Sequence, residues 1–289
     1  MTNASPKVTY EKDGRIARIT LNRPEVMNAI DDDVPRLLSE AAARADADDG
    51  VHVMLLSGNG PAFCSGYDLA YYAEANGSGQ ATQEMPWDPI RDYAFMWRNT
   101  QYFMSLFRAL KPVLCKVHGF AVAGGSDIAL CSDMVIMAED AQIGYMPARV
   151  WGCPTTAMWV YRLGPERAKR MLFTGDKVTG REAAEMGLVL RAVPADALDD
   201  AVEEMAARMA SVPINQLAMQ KMMINQPMEA TVTATQRLAT VFDGITRHSP
   251  EGLNFKARAE EAGWKQAVTD RDQGTWDWTA NEPLPKPNR

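Results

Sequence analysis

Histidine is scarce and cysteine is spread thin in this chain of 289 residues. Only His52, His118 and His248 occur, far apart and without ligand spacing, so a metal centre is not expected. Cys64, Cys115, Cys131 and Cys153 form no CxxC pair and sit in apolar or turn surroundings, which reads as reduced packing cysteines in a cytoplasmic protein. Long apolar runs are missing too. The richest stretch, residues 113–138, is interrupted by Lys116, His118, Asp127 and Asp133, which excludes a membrane span there, and residues 1–7 lack the apolar core of a secretory leader. Basic residues are outnumbered 30 to 37, giving a net charge of −7, so no nucleic-acid surface is expected. A polyanionic ligand would need locally placed Arg or Lys.

What is present is globular: 46% hydrophobic and 23% charged, in a chain long enough to bury a large core. Residues 8–21 alternate around Asp13-Gly14, a hairpin signal. Residues 31–48 show helical spacing, residues 51–57, 112–117 and 134–138 read as buried strands, and residues 99–110 and 125–132 as helices. Residues 70–98, which include Gly77-Ser78-Gly79 and several aromatics, read as a long irregular lid or pocket wall. Residues 154–187 read as helical. Further helices are expected at 196–210, 213–225, 229–247 and 250–266, their faces rich in Met219, Met222, Met223, Leu238 and Val241 packing on the core and on a neighbouring subunit, with a core stripe as the plainer reading of the methionines. Residues 283–289, with alternating prolines, read as extended.

Two glycine-centred turns carry the chemistry: Phe63-Cys64-Ser65-Gly66-Tyr67-Asp68-Leu69, and His118-Gly119-Phe120-Ala121-Val122-Ala123-Gly124-Gly125-Ser126-Asp127. Each follows an apolar strand and precedes a helical segment. Glycine permits close backbone approach, and a helix start offers unpaired N–H donors at its positive end, so each turn can receive developing negative charge.

These turns, with Asn22-Arg23-Pro24-Glu25, Asn28-Ala29, Thr174-Gly175 and residues 182–189, resemble the signatures of the crotonase superfamily, the enoyl-CoA hydratase and isomerase group. The resemblance covers residues 8–193 well and the C-terminal part loosely. It implies an α/β fold, a crotonase-like spiral core of repeated ββα units over residues 1–194. A C-terminal helical trimerisation region would follow at 195–270, then an extended tail at 271–289. A homotrimer or dimer of trimers is implied, with coenzyme A only as part of the substrate, no separate cofactor, and a place in fatty-acid metabolism.

By the same resemblance, the backbone N–H groups of Tyr67 and Gly124 form an oxyanion hole for a thioester enolate, and Asp127 stands where the family's hydratases carry their first catalytic glutamate. Their second glutamate position falls on Pro147, so a water gripped by two carboxylates is not expected and ordinary hydration is put in doubt. Asp68 reads as a cap of the following helix. Coenzyme A is expected along Met27, Ala29, Ser65, Gly66, Asp68 and Leu69, with Arg23 as a phosphate contact and Gly125 supporting the second turn. Tyr72 matches a tyrosine that hydroxycinnamoyl-CoA hydratase-lyases direct at a phenol, while Tyr145 and Arg149 flank Pro147. Three readings follow: an enoyl-CoA hydratase or isomerase, a hydroxycinnamoyl-CoA-type hydratase-lyase or C–C hydrolase, and a non-catalytic acyl-CoA-binding protein of this fold.

Overall fold

The computed structural model describes residues 5–74, 83 and 85–285; Gly77-Ser78-Gly79 of the expected lid lies outside them. Strands β1 (Val8–Asp13) and β2 (Ile16–Leu21) form the expected hairpin, turning at Gly14 with φ of 57°. Helix α1 (Val34–Ala47) returns the chain to β3 (Val53–Gly58), laying Leu38, Ala41, Ala42 and Ala45 on the sheet. Beyond β3 the chain winds as a spiral. Phe63-Cys64 and then β5 (Phe120–Val122) and β7 (Gln142–Gly144) build a small sheet, while β4 (Val113–Val117) and β6 (Met134–Ala138) extend the large one. Helices α2 (Pro89–Arg108) and α3 (Gly124–Leu130) make the returns.

The large sheet has the order β1-β2-β3-β4-β6-β9, closed by β9 (Arg191–Val193), and every pair after the hairpin is parallel. The small sheet runs β5-β7-β8, with β8 at Lys177–Thr179. Successive turns of the spiral thus give a strand to the large sheet, a strand or (at Cys64) a single bridge toward the small one, and then a helix, the repeated ββα unit that the resemblance implies.

Several expectations need correction. Among the described residues of 70–98, Ala70–Glu74 is a π-helical turn, and α2 begins at Pro89, ten residues before the expected start. Asp88 caps it by accepting from the N–H groups of Ile90 and Arg91, with proline at the first helical position, where its missing N–H costs nothing. Residues 154–187 are not uniformly helical, because β8 separates α4 (Met158–Thr174) from α5 (Gly180–Glu185).

After α6 (Leu198–Ala210), the two helices expected at 213–225 and 229–247 are one helix of 35 residues, α7 (Ile214–His248), which continues through Pro227. Its Lys221 pairs with Asp133 at 2.8 Å and donates to the carbonyls of Leu106 and Lys111, fastening α7 to the spiral. Met219, Met222, Met223, Leu238 and Val241 are not a core stripe: they face outward, Met223 at 64% exposure.

The expected helix at 250–266 is split at Gly263, φ 88°, into α8 (Pro250–Ala262) and α9 (Trp264–Gln273). The tail begins with a small hairpin, β10 (Trp276–Asp277) and β11 (Glu282–Pro283). Two apolar clusters result. One fills the space between the sheets and helices; the other, with Tyr72, Phe95, Met96, Trp151, Phe255 and Ala259, packs the C-terminal helices over the end of the spiral. Among the described residues no helix is long and apolar enough to cross a membrane.

Candidate functional site

Both glycine turns open onto one cavity of about 450 Å³. The first turn can pass close to the second because Gly66, at φ 91°, has no side chain: a Cβ there would stand 2.7 Å from the Ala123 Cβ and 3.0 Å from the Val122 carbonyl oxygen. Gly125 is as tightly placed, since its Cβ would lie 2.3 Å from the carbonyl oxygen of Cys64. Between them Ala123 adopts φ 50° and ψ −127°, a conformation that costs an L residue on the order of 1–3 kcal/mol and that orients the peptide leading into Gly124. Among the described residues neither the Tyr67 N–H nor the Gly124 N–H donates to a backbone acceptor, and both residues line the cavity. They are available to a ligand oxygen.

Asp127 stands in the first turn of α3 at 3% exposure and faces the same cavity. Thr156 donates its hydroxyl to one carboxyl oxygen at 2.6 Å. Burial pushes the Asp127 carboxyl up to about 8, the Thr156 hydrogen bond works against this, and the nearby charge of Asp243 adds to it. Asp127 therefore keeps its proton at neutral pH and can give it up.

The other residues read from the sequence divide. Met27, Ala29, Ser65, Asp68, Leu69, Tyr72, Tyr145 and Pro147 line the cavity. Asp68 behaves as a cap, accepting from the Tyr71 N–H at 3.4 Å and pairing with Arg23 at 3.2 Å. Arg23 is outside the cavity lining, and its guanidinium is spent on Asp68 and the Ala29 carbonyl. Arg149 is also outside: it packs along Gly175, 3.8 Å from Asp176. Gly66 and Gly125 act by leaving space. Tyr72 gives its ring to the cavity but donates its hydroxyl to Asp32 at 2.7 Å, so that hydroxyl is not turned toward an acyl group.

Sequence reasoning missed the C-terminal part of the lining. Asp243 and Arg247 on α7, and Trp264, Lys265, Val268 and Arg271 on α9, all reach the cavity. Asp243, 4% exposed, accepts the Cys153 N–H at 3.0 Å and pairs with Arg247 at 3.0 Å; Arg247 also grips Asp92 through both carboxyl oxygens, at 2.9 and 3.1 Å. Burial works against the Arg247 charge, but the two carboxylates more than offset it. In sequence Asp243 and Arg247 are an ordinary i,i+4 pair, the commonest signature of a solvated helix face. Nothing local distinguishes them.

Comparisons with known proteins agree with this fold. A sequence profile described as enoyl-CoA hydratase/isomerase matches residues 11–266. A crystal structure of an enoyl-CoA hydratase from Mycobacterium smegmatis superposes with a TM-score of 0.87 at 47% identity, covering 93% of this chain and 94% of that one. The (E)-benzylidenesuccinyl-CoA hydratase of Thauera aromatica is 32% identical over 71% of this chain and 76% of its own length. The 1,2-epoxyphenylacetyl-CoA isomerase of Escherichia coli is 29% identical over 73% and 78%.

Proposed function

The chain belongs to the enoyl-CoA hydratase/isomerase family, and from that premise we propose that it moves a proton at the α-carbon of an acyl-CoA thioester. The thioester oxygen lies between the N–H groups of Tyr67 and Gly124, which stabilise the enolate as negative charge grows there. One such donor is worth about 10²–10³ in rate. Asp127 carries the proton. The observation that supports this reading most directly is a buried carboxyl, held by Thr156, three residues after Gly124 on the same helix start and facing the same cavity.

The experiment is α-proton exchange in D₂O, read by mass on an acyl-CoA thioester. Wild type should incorporate deuterium, and Asp127→Asn should lower the rate by about 10²–10⁴, the usual share of a positioned acid or base. Absence of exchange in wild type, or an undiminished rate in the variant, would remove the reading. A phenol-directed lyase has less support, because the Tyr72 hydroxyl is committed to Asp32.

Assembly as a homotrimer or dimer of trimers, in a cytoplasmic setting, belongs to the same proposal. Its support is the outward apolar face of α7, where Met219, Met222, Met223 and Ile224 are all more than half exposed. The molar mass in solution tests it.

A further inference from the structure

We propose that Asp243 is a second catalytic carboxylate, brought in by the C-terminal helix α7, which holds and deprotonates a water for addition to a 2-enoyl thioester. The proposal rests on the thioester-enolate reading above and deepens it from proton movement to hydration.

Three observations carry it. First, Asp243 and Asp127 line one cavity and are anchored to one short loop: the Cys153 N–H holds Asp243 at 3.0 Å and the Thr156 hydroxyl holds Asp127 at 2.6 Å. Only Pro154 and Thr155 separate those anchors, so the two carboxyl groups cannot be far apart. Gln236 donates to the Thr156 carbonyl at 3.0 Å and fastens α7 to the same loop.

Second, the environments differ in kind. Asp127 is kept protonated by burial, against the pull of its single hydroxyl partner Thr156; Asp243 is paired with the Arg247 guanidinium. Two carboxyl groups placed in contrasting surroundings are the usual arrangement for an acid and a base working together. Third, Arg247 does not need Asp243 as its counter-ion, because Asp92, 1% exposed, already meets it through both oxygens. A second buried carboxylate against one guanidinium is costly to keep for structure alone. Its known partners, one N–H and one guanidinium, also leave acceptor capacity for a water on the cavity side.

The step balances as follows. Asp243 takes one proton from water as the water oxygen bonds to the β-carbon. The C2–C3 double-bond electrons move toward the thioester carbonyl, giving the enolate held by Tyr67 and Gly124. Asp127 gives its proton to the α-carbon and the enolate returns to a thioester. One water has been added, Asp243 is protonated and Asp127 ionised, and passage of one proton between them restores the start. Pro147, which has no ionisable atom, takes no part.

The test uses the full-length protein with a 2-enoyl-CoA panel, following both hydration and α-proton exchange of a saturated acyl-CoA, in wild type, Asp243→Asn and Asp92→Asn. We expect Asp243→Asn to lose hydration by about 10²-fold or more while keeping α-exchange, which also shows that it is folded. Asp92→Asn removes the other carboxylate of the same ionic cluster, one that is not itself in the cavity lining, and should keep hydration within several-fold. Undiminished hydration in Asp243→Asn, equal loss of both reactions in the two variants, or a wild type that exchanges α-protons but hydrates nothing would each overturn the role of Asp243 while leaving the proton-transfer reading in place. A wild type that does neither removes both.

Discussion

Thr156 donates its hydroxyl to Asp127 at 2.6 Å inside a buried pocket wall, so one neutral side chain sets how readily the proposed proton carrier ionises. The bond favours the ionised carboxylate against the burial that pushes Asp127 up to about 8. Two of its neighbours do not titrate nearby: burial pushes the Cys153 thiol up to about 12 and the Tyr145 hydroxyl well above its ordinary value. The alkaline limb of the pH–rate profile should therefore lie near 8 and report Asp127. Thr156→Val keeps the shape, removes the donor, and should move that limb upward, with about 1 kcal/mol lost in urea unfolding. A limb that stays put would show that another group controls it.

The same carboxyl should leave a mark on stability. Its folded value of about 8 lies above the ordinary 3.8, so between the two the folded state binds more protons than the unfolded chain. This contribution is fully present at acid pH and is lost as pH rises toward 8. Asp92, pushed up to about 6 by burial, against the pull of Arg247 and with a push from Asp243, adds to the lower part of that window. Denaturant titrations between pH 5 and about 9 should show stability falling with pH, and Asp127→Asn should flatten the slope above 6.

The two turns were legible because their requirements are local: a backbone that must pass within contact distance of another needs glycine, and Gly66, Gly124 and Gly125 stand where the two turns meet. Asp127 was legible for the same reason, fixed three residues beyond Gly124 on a short helix. The start of α2 carried a readable Asp88-Pro89 signal that the surrounding aromatics obscured. Strands β5, β7 and β8, of three residues each, are too short for periodicity to register. Pro227 pointed to a break in α7 where tertiary packing keeps the helix running. Asp243 and Arg247 were invisible as site residues, because only the docking of α7 against the loop before α4 turns a surface-type pair into a buried one.

Placement in the lining also separates two cations that look alike in sequence. Lys265 reaches the cavity from α9, and no carboxylate pairs with it among the described residues, whereas Arg149 lies outside and packs along Gly175. Lys265→Ala should raise KM for an acyl-CoA by about tenfold with kcat little changed, the loss of one charge-assisted contact to the substrate. Arg149→Ala should alter KM by less than about twofold. Steady-state kinetics on both variants checks the assignment, and the reverse ranking would return Arg149 to the substrate path.

Adjacent glycines at the start of α3 should respond very differently to one added methyl group. At Gly125 the new Cβ would lie 2.3 Å from the Cys64 carbonyl oxygen and 2.9 Å from its carbonyl carbon, both backbone, so only a shift of α3 or of the first turn can relieve the clash. At Gly124 the nearest atoms are the end of the Ile30 side chain at 2.8 Å and the Tyr67 ring edge at 3.0 Å, which can rotate or slide. Gly125→Ala should therefore cost about 1–3 kcal/mol of stability, the range for overpacking. Because the displaced segments carry the Tyr67 and Gly124 N–H groups, its α-proton exchange should fall by about 10²-fold or more, as when an oxyanion donor is withdrawn. Gly124→Ala should fold with a smaller penalty and keep more of its rate. Equal effects in the two variants, measured by thermal unfolding and exchange rate together, would show that contact between the turns does not position the donors.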